Sequence, residues 1–101
     1  MMIKVKVEYN NNYVKEVKIT GHAGYDEYGK DIVCASSSSI VITSCNLILK
    51  LDEKAITVVQ KEGLINIKVM KEDETINKVL ENMIDMLKEL SKDYKQNVKF
   101  I

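Results

Sequence analysis

Polar and apolar positions alternate cleanly from the start of the chain: Ile3, Val5, Val7 and Tyr9 fall on one parity, Lys4, Lys6 and Glu8 on the other. A period of two is the signature of a half-buried strand, so residues 2–9 are predicted as β. Asn10, Asn11 and Asn12 tolerate turn conformations, and Val17 and Ile19 share a face in the run from Tyr13 to Thr20, which makes the first unit a hairpin. A second hairpin follows later, from Ala55–Gln60 through a turn at Lys61-Glu62-Gly63 into Leu64–Met70, with Ile65, Ile67 and Val69 alternating. The clearest helical period is Ile76, Leu80, Met83, Leu87, Leu90 and Tyr94. Glu72, Asp73 and Glu74 precede it and Lys88, Lys92 and Lys95 close it, so charge opposes the helix dipole at both ends. Val98 and Phe100 suggest a last short strand.

Between the hairpins, Ile32 to Leu49 is free of formal charge and long enough to raise the question of a membrane span. Ser36, Ser37, Ser38, Ser39, Thr43, Ser44 and Asn46 are too many polar groups for a lone span, whereas Val41, Leu47 and Leu49 keep the segment apolar enough to bury. The expectation is a central helix, covered by a sheet and by a second copy of the chain, with no membrane involved. The order is then ββαββαβ, an α+β two-layer domain with two helices on a largely antiparallel sheet, spanning residues 1–101 as one domain. The β-β-α unit occurs twice, without residue-level similarity between the halves.

Composition narrows the classes of function. At 46% hydrophobic, the 101 residues can bury a core without staples. Fifteen basic and fifteen acidic residues interleave, so the basic stripe of a sequence-independent nucleic-acid binder is missing and direct nucleic-acid binding is not expected. The two cysteines, Cys34 and Cys45, cannot bridge each other on one helix, where eleven residues at about 1.5 Å each separate them by roughly 16 Å. With both thiols reduced and no apolar signal region near the N-terminus, a cytoplasmic location is expected.

The chemistry concentrates in residues 21–38, which hold the only histidine, one cysteine and three of the four glycines. Asp31 is placed to cap a helix starting at Ile32, which puts Cys34 in its first turn. Unpaired N–H groups and the positive end of the macrodipole favour a thiolate there, and the same N–H groups are placed to hold a developing oxyanion. His22 supplies a base. If the strand ran on unbroken, His22 would share parity with Lys18, so Gly21 is expected to redirect the chain.

Two other readings of this stretch fail. Gly24 to Lys30 spells G-x-x-x-x-G-K, but Asp31 stands where a phosphate loop needs Ser or Thr, and Asp26 and Glu27 would repel phosphate. Structural zinc wants four Cys or His ligands and the chain has three. Neither a metal nor a cofactor is expected. Cys45, among apolar residues in mid-helix, is read as core. Asp26 and Glu27 are either a solvated loop face or a steering patch for a basic substrate.

The run Gly21-His22-Ala23, then Gly29, then Asp31-Ile32-Val33-Cys34-Ala35 with Ser38 a turn later resembles the ribosomal-processing cysteine protease family. The resemblance is motif-dense over about a fifth of the chain, and the other elements are compatible in length and order. It implies a Cys-His endopeptidase that removes a short N-terminal extension, ending in aromatic residues, from large-subunit ribosomal protein number twenty-seven. By resemblance His22 and Cys34 are the catalytic pair, Gly21, Gly29, Asp31 and Ser38 match supporting positions, and the protein is a homodimer. Ser36, Ser37 and Ser39 depart from the small apolar residues usual around Ser38. Asp31 either orients His22 or only caps the helix. Tyr25 and Tyr28 either fold over an aromatic substrate residue, on a loop mobile without ligand, or pack on the domain surface. The competing reading from another class is a non-catalytic dimeric adaptor that binds a ribosomal or other partner through the Gly-rich loop.

Overall fold

The first hairpin forms as the alternation requires. In the computed structural model, which describes residues 2–27 and 31–101, β1 (Ile3–Asn10) and β2 (Tyr13–Thr20) pair antiparallel. Asn11 and Asn12 both have positive φ, 51° and 72°, the two-residue turn whose twist matches a hairpin. Glu8 faces Glu16 while Tyr9 faces Val14, so Lys15 is an extra residue in β2, and this bulge brings Val14 as well as Val17 and Ile19 into the core. Tyr9, expected on the apolar face, is 54% exposed although its cross-strand partner Val14 is buried.

Next comes α1 (Ile32–Leu51), two residues longer than predicted, then β3 (Ile56–Lys61), β4 (Leu64–Val69), α2 (Glu74–Asp93) and β5 (Val98–Phe100). The sheet order is β3-β4-β2-β1-β5, with three antiparallel pairings and β5 parallel to β1. This is the α+β order ββαββαβ expected from the alternation.

Both helices cover one face of the sheet. α2 turns Ile76, Leu80, Met83, Ile84 and Leu87 inward and is capped by Asp73, whose carboxylate accepts from the Ile76 N–H at 3.0 Å. α1 is long and apolar enough to cross a membrane by length and composition, yet it buries Val33, Val41, Cys45 and Ile48 against the domain. Its buried serines are satisfied inside the helix: Ser37 Oγ donates to the Cys34 carbonyl at 3.0 Å and Ser44 Oγ to the Ile40 carbonyl at 2.8 Å. That back-bonding lets a serine-rich segment sit in a core without orphaned hydroxyls.

The topology brings one end of every layer together. Thr20 at the end of β2 pairs with Leu64 at the start of β4, and Ile3 begins β1 at the same edge. The first turn of α1 faces this edge, where a cleft opens between helix and sheet.

Candidate active site

Gly21 ends β2 and turns the chain, as its place before His22 requires. Its φ is +88°, and its N–H donates to the Gly63 carbonyl at 2.9 Å. A side chain there would collide with the Met2 carbonyl oxygen, so only glycine permits the close approach that redirects the strand. His22 and Ala23 then pass beneath the N-terminus of α1, where Ala23 is fully buried and His22 is half-buried.

Cys34 lies in the first turn of α1, half-buried and not disulfide-bonded. Its sulfur accepts a hydrogen bond from the Ala23 N–H at 3.2 Å. This backbone donor fixes where the sulfur sits relative to the residue after His22. Cys34 and His22 line the same cleft, a cavity of about 550 Å³. Among the sequence-predicted residues, Gly21, Asp31 and Ser38 also line it.

Asp31 is the N-cap of α1. Oδ1 accepts from the N–H groups of Val33 and Cys34, each at 3.0 Å, while Oδ2 accepts from Tyr25 N–H at 3.0 Å and Asp26 N–H at 3.5 Å. The carboxylate therefore caps α1 and ties the preceding loop to it. Slight desolvation pushes its pKa up, but the donors from Cys34, Tyr25, Asp26 and Val33 outweigh this and hold it below the usual carboxylate value. This arrangement also corrects the expectation that the N–H groups of the first turn stand ready for an oxyanion. Those of Val33 and Cys34 are already bonded to Asp31.

Of the two loop tyrosines, Tyr25 packs edge-on against the ring of Tyr94, with centroids 5.3 Å apart and planes at 86°, as the surface-packing reading describes. Tyr28 and Gly29 lie outside the described residues. Of the serines that depart from the family pattern, Ser37 is buried with its hydroxyl turned to its own helix, while Ser36 and Ser39 are exposed. Cys45 is buried, and desolvation pushes its thiol up to about 11, consistent with a core residue.

Sequence reasoning missed the third wall of the cleft. Gln60, Lys61, Glu62 and Gly63 of the β3–β4 hairpin line it, and a Cβ on Gly63 would sit 3.5 Å from His22 Nε2. Only the sheet pairing of Thr20 with Leu64 brings this turn to His22, and no local pattern signals it.

This geometry has counterparts among known proteins. A ribosomal processing cysteine protease Prp from Staphylococcus aureus is 30% identical over 102 aligned positions, covering 97% of this chain and 96% of the relative. The crystal structure of the S. aureus Prp in complex with a covalently linked product peptide superposes with a TM-score of 0.93 at 28% identity, covering 98% of this chain and 97% of that one. Its complex with a substrate peptide gives 0.87 at 27% identity, covering 99% and 98%. The family model described as "Cysteine protease Prp" matches residues 2–99, nearly the whole length, and the chain belongs to this family of cysteine proteases.

Proposed function

We propose that this protease removes the short N-terminal extension of large-subunit ribosomal protein number twenty-seven, with Cys34 as nucleophile and His22 as general base and acid. What carries the reading is the placement of the Cys34 sulfur: in the first turn of a helix, accepting the Ala23 N–H at 3.2 Å, and opening on the cleft that His22 also lines. In this mechanism the thiolate attacks the scissile carbonyl carbon and His22 gives its proton to the departing amine. Water then adds to the thioester with His22 taking a proton, which frees the extension as a carboxylate and restores the thiol. That the S. aureus relatives are named as ribosomal processing proteases, and were solved with a substrate peptide and with a covalently linked product peptide, supports both the substrate class and a covalent path.

The protein acts in the cytoplasm as a homodimer in this reading. The outward side of α1 supports the dimer: Ile42, Leu47 and Leu49 are exposed on a helix that carries no charge before Lys50. The deciding experiment is mass spectrometry of the ribosomal precursor after incubation with the protein and with Cys34→Ala. The extension should be cut off by the first and left intact by the second. An uncut precursor with the wild-type protein, or equal cutting by both, refutes the assignment.

A further inference from the structure

Ala23, the residue that aims its N–H at Cys34, is pinned from a second direction. Its carbonyl accepts a hydrogen bond from Asn97 Nδ2 at 2.9 Å. Asn97 stands in the connection between α2 and β5, remote in sequence from both His22 and Cys34. It is itself built into the frame. Its N–H donates to the Tyr94 carbonyl at 2.9 Å, and its carbonyl accepts the N–H of Ile3, the first residue of β1, at 2.8 Å. The same corner meets the loop again where Tyr94 packs edge-on against Tyr25.

Residues 21–27 have no strand or helix of their own to fix their peptide planes. A hydrogen bond to sulfur is directional, so the Ala23 N–H holds the Cys34 sulfur in place only while residue 23 is kept at one orientation. The buried methyl fixes the position of the residue, and the Asn97 amide fixes its carbonyl. Because His22 shares a peptide bond with Ala23, the same tether sets the start of the histidine side chain.

We propose that Asn97 is a positioning residue for the Cys34 sulfur, acting through the Ala23 backbone. This rests on Cys34 being the nucleophile, as proposed above. Asn97 is not among the residues that line the cleft, and the donor to the sulfur is Ala23. Among the described residues, the charged and titratable groups that line the cleft beside Cys34 are Asp26 and Asp31 near α1, His22 after β2, and Lys61 and Glu62 on the hairpin, and replacing Asn97 alters none of them.

The test measures the rate of Cys34 alkylation by iodoacetamide against pH in a Cys45→Ala background, comparing Asn97 with Asn97→Leu, which keeps the branched shape and loses the donor, and with Asn97→Ala. Gln96→Ala, one residue away and exposed, is the control. With melting still cooperative, both Asn97 variants should react about tenfold more slowly across the profile, the scale of losing one hydrogen bond to the nucleophile. In peptide cleavage kcat should fall about tenfold with KM within about twofold. Coincident alkylation profiles in a folded Asn97 variant overturn the proposal. So does loss of cooperative melting in both variants, which would make Asn97 a structural residue only. If the wild-type protein cuts no ribosomal precursor but Asn97→Leu still slows alkylation, the substrate assignment fails and the positioning role stands.

Discussion

Gly21 donates its N–H to the Gly63 carbonyl at 2.9 Å, and both residues lie in left-handed backbone, at φ +88° and +71°. This bond ties the end of β2, one residue before His22, to the β3–β4 turn that forms the far wall of the cleft. The two glycines are constrained differently. A Cβ on Gly21 meets a backbone oxygen, that of Met2, which cannot rotate away, whereas a Cβ on Gly63 meets His22 Nε2 at the ordinary contact distance of 3.5 Å.

Gly21→Ala is therefore expected to lose more than about 2 kcal/mol of stability, combining positive-φ strain with a backbone clash. Gly63→Ala should lose about 1 kcal/mol, from φ alone, and remain folded. Its larger effect should be on cleavage, because the new methyl abuts the imidazole. Denaturant titration of both variants checks the ranking, and equal losses would contradict it.

Cys45 separates from Cys34 by chemistry as well as position. Burial raises the Cys45 thiol from 9.0 to about 11, so it stays protonated in the fold at neutral pH. One equivalent of iodoacetamide should label the native protein, at Cys34, and a second only after unfolding. Cys45→Ala should keep cleavage within about twofold and cost about 1 kcal/mol for the small cavity. Since the folded value lies above the unfolded one, the stability linked to this thiol is complete below pH 9.0 and is lost as pH rises toward about 11. Alkaline unfolding should therefore soften in Cys45→Ala relative to wild type.

Much of this was legible in the chain because it is local. Alternation marks the strands, the Ile76–Tyr94 period marks α2, and a capping Asp three residues before a Cys marks the start of α1. The partners of the site were not legible, because they arrive through pairing. Gly63 reaches His22 only because Thr20 pairs with Leu64, and Asn97 reaches Ala23 only because the start of β1 hydrogen-bonds to the corner before β5. Tyr9 shows the limit of parity. Strand period assigns it to the apolar face, yet it is 54% exposed where the ribbon is bulged near its turn.

Asp31 should make the domain acid-sensitive. Its folded pKa is depressed, with backbone donors outweighing a slight desolvation, so the stability it contributes is present above the unfolded carboxylate value near 3.8 and is lost as pH falls through the lower folded value. Asp31→Ala is expected to cost about 1 kcal/mol at neutral pH, the usual worth of a helix cap. Asp31→Asn keeps one acceptor and should cap α1, but its amide nitrogen cannot accept from Tyr25 and Asp26, so the loop should come untied. In denaturant titrations the gap between wild type and Asp31→Asn should hold above pH 3.8 and begin to close below it. A gap that stays constant throughout would show that the carboxylate charge contributes nothing.

The outer side of α1 makes the last prediction. Val33, Val41, Cys45 and Ile48 turn inward, which leaves Ala35, Ile42 and Leu49, spaced seven residues apart, in a row facing out. Ile42 is 41% and Leu49 38% exposed in the single chain, and the only charged residue of the helix is Lys50 in its last turn. A helix that met only water on this side would gain solubility from charge there at no cost to packing. Its absence fits a second copy of the same helix as cover, an isologous contact in which Ile42 lies near its own symmetry mate. Ile42→Glu then places two carboxylates against each other in an apolar interface, which should weaken dimerisation about a hundredfold or more. By sedimentation velocity at micromolar concentration, the wild-type protein should run at twice the 11.5 kDa chain mass and Ile42→Glu at the chain mass itself, with unchanged helical content. Ala35 and Ser38, at the start of this row, also line the cleft, so a dimer formed here would set the two cleavage sites beside the interface. Wild-type protein that sediments as a monomer would leave the row open to solvent and remove the dimer from the account.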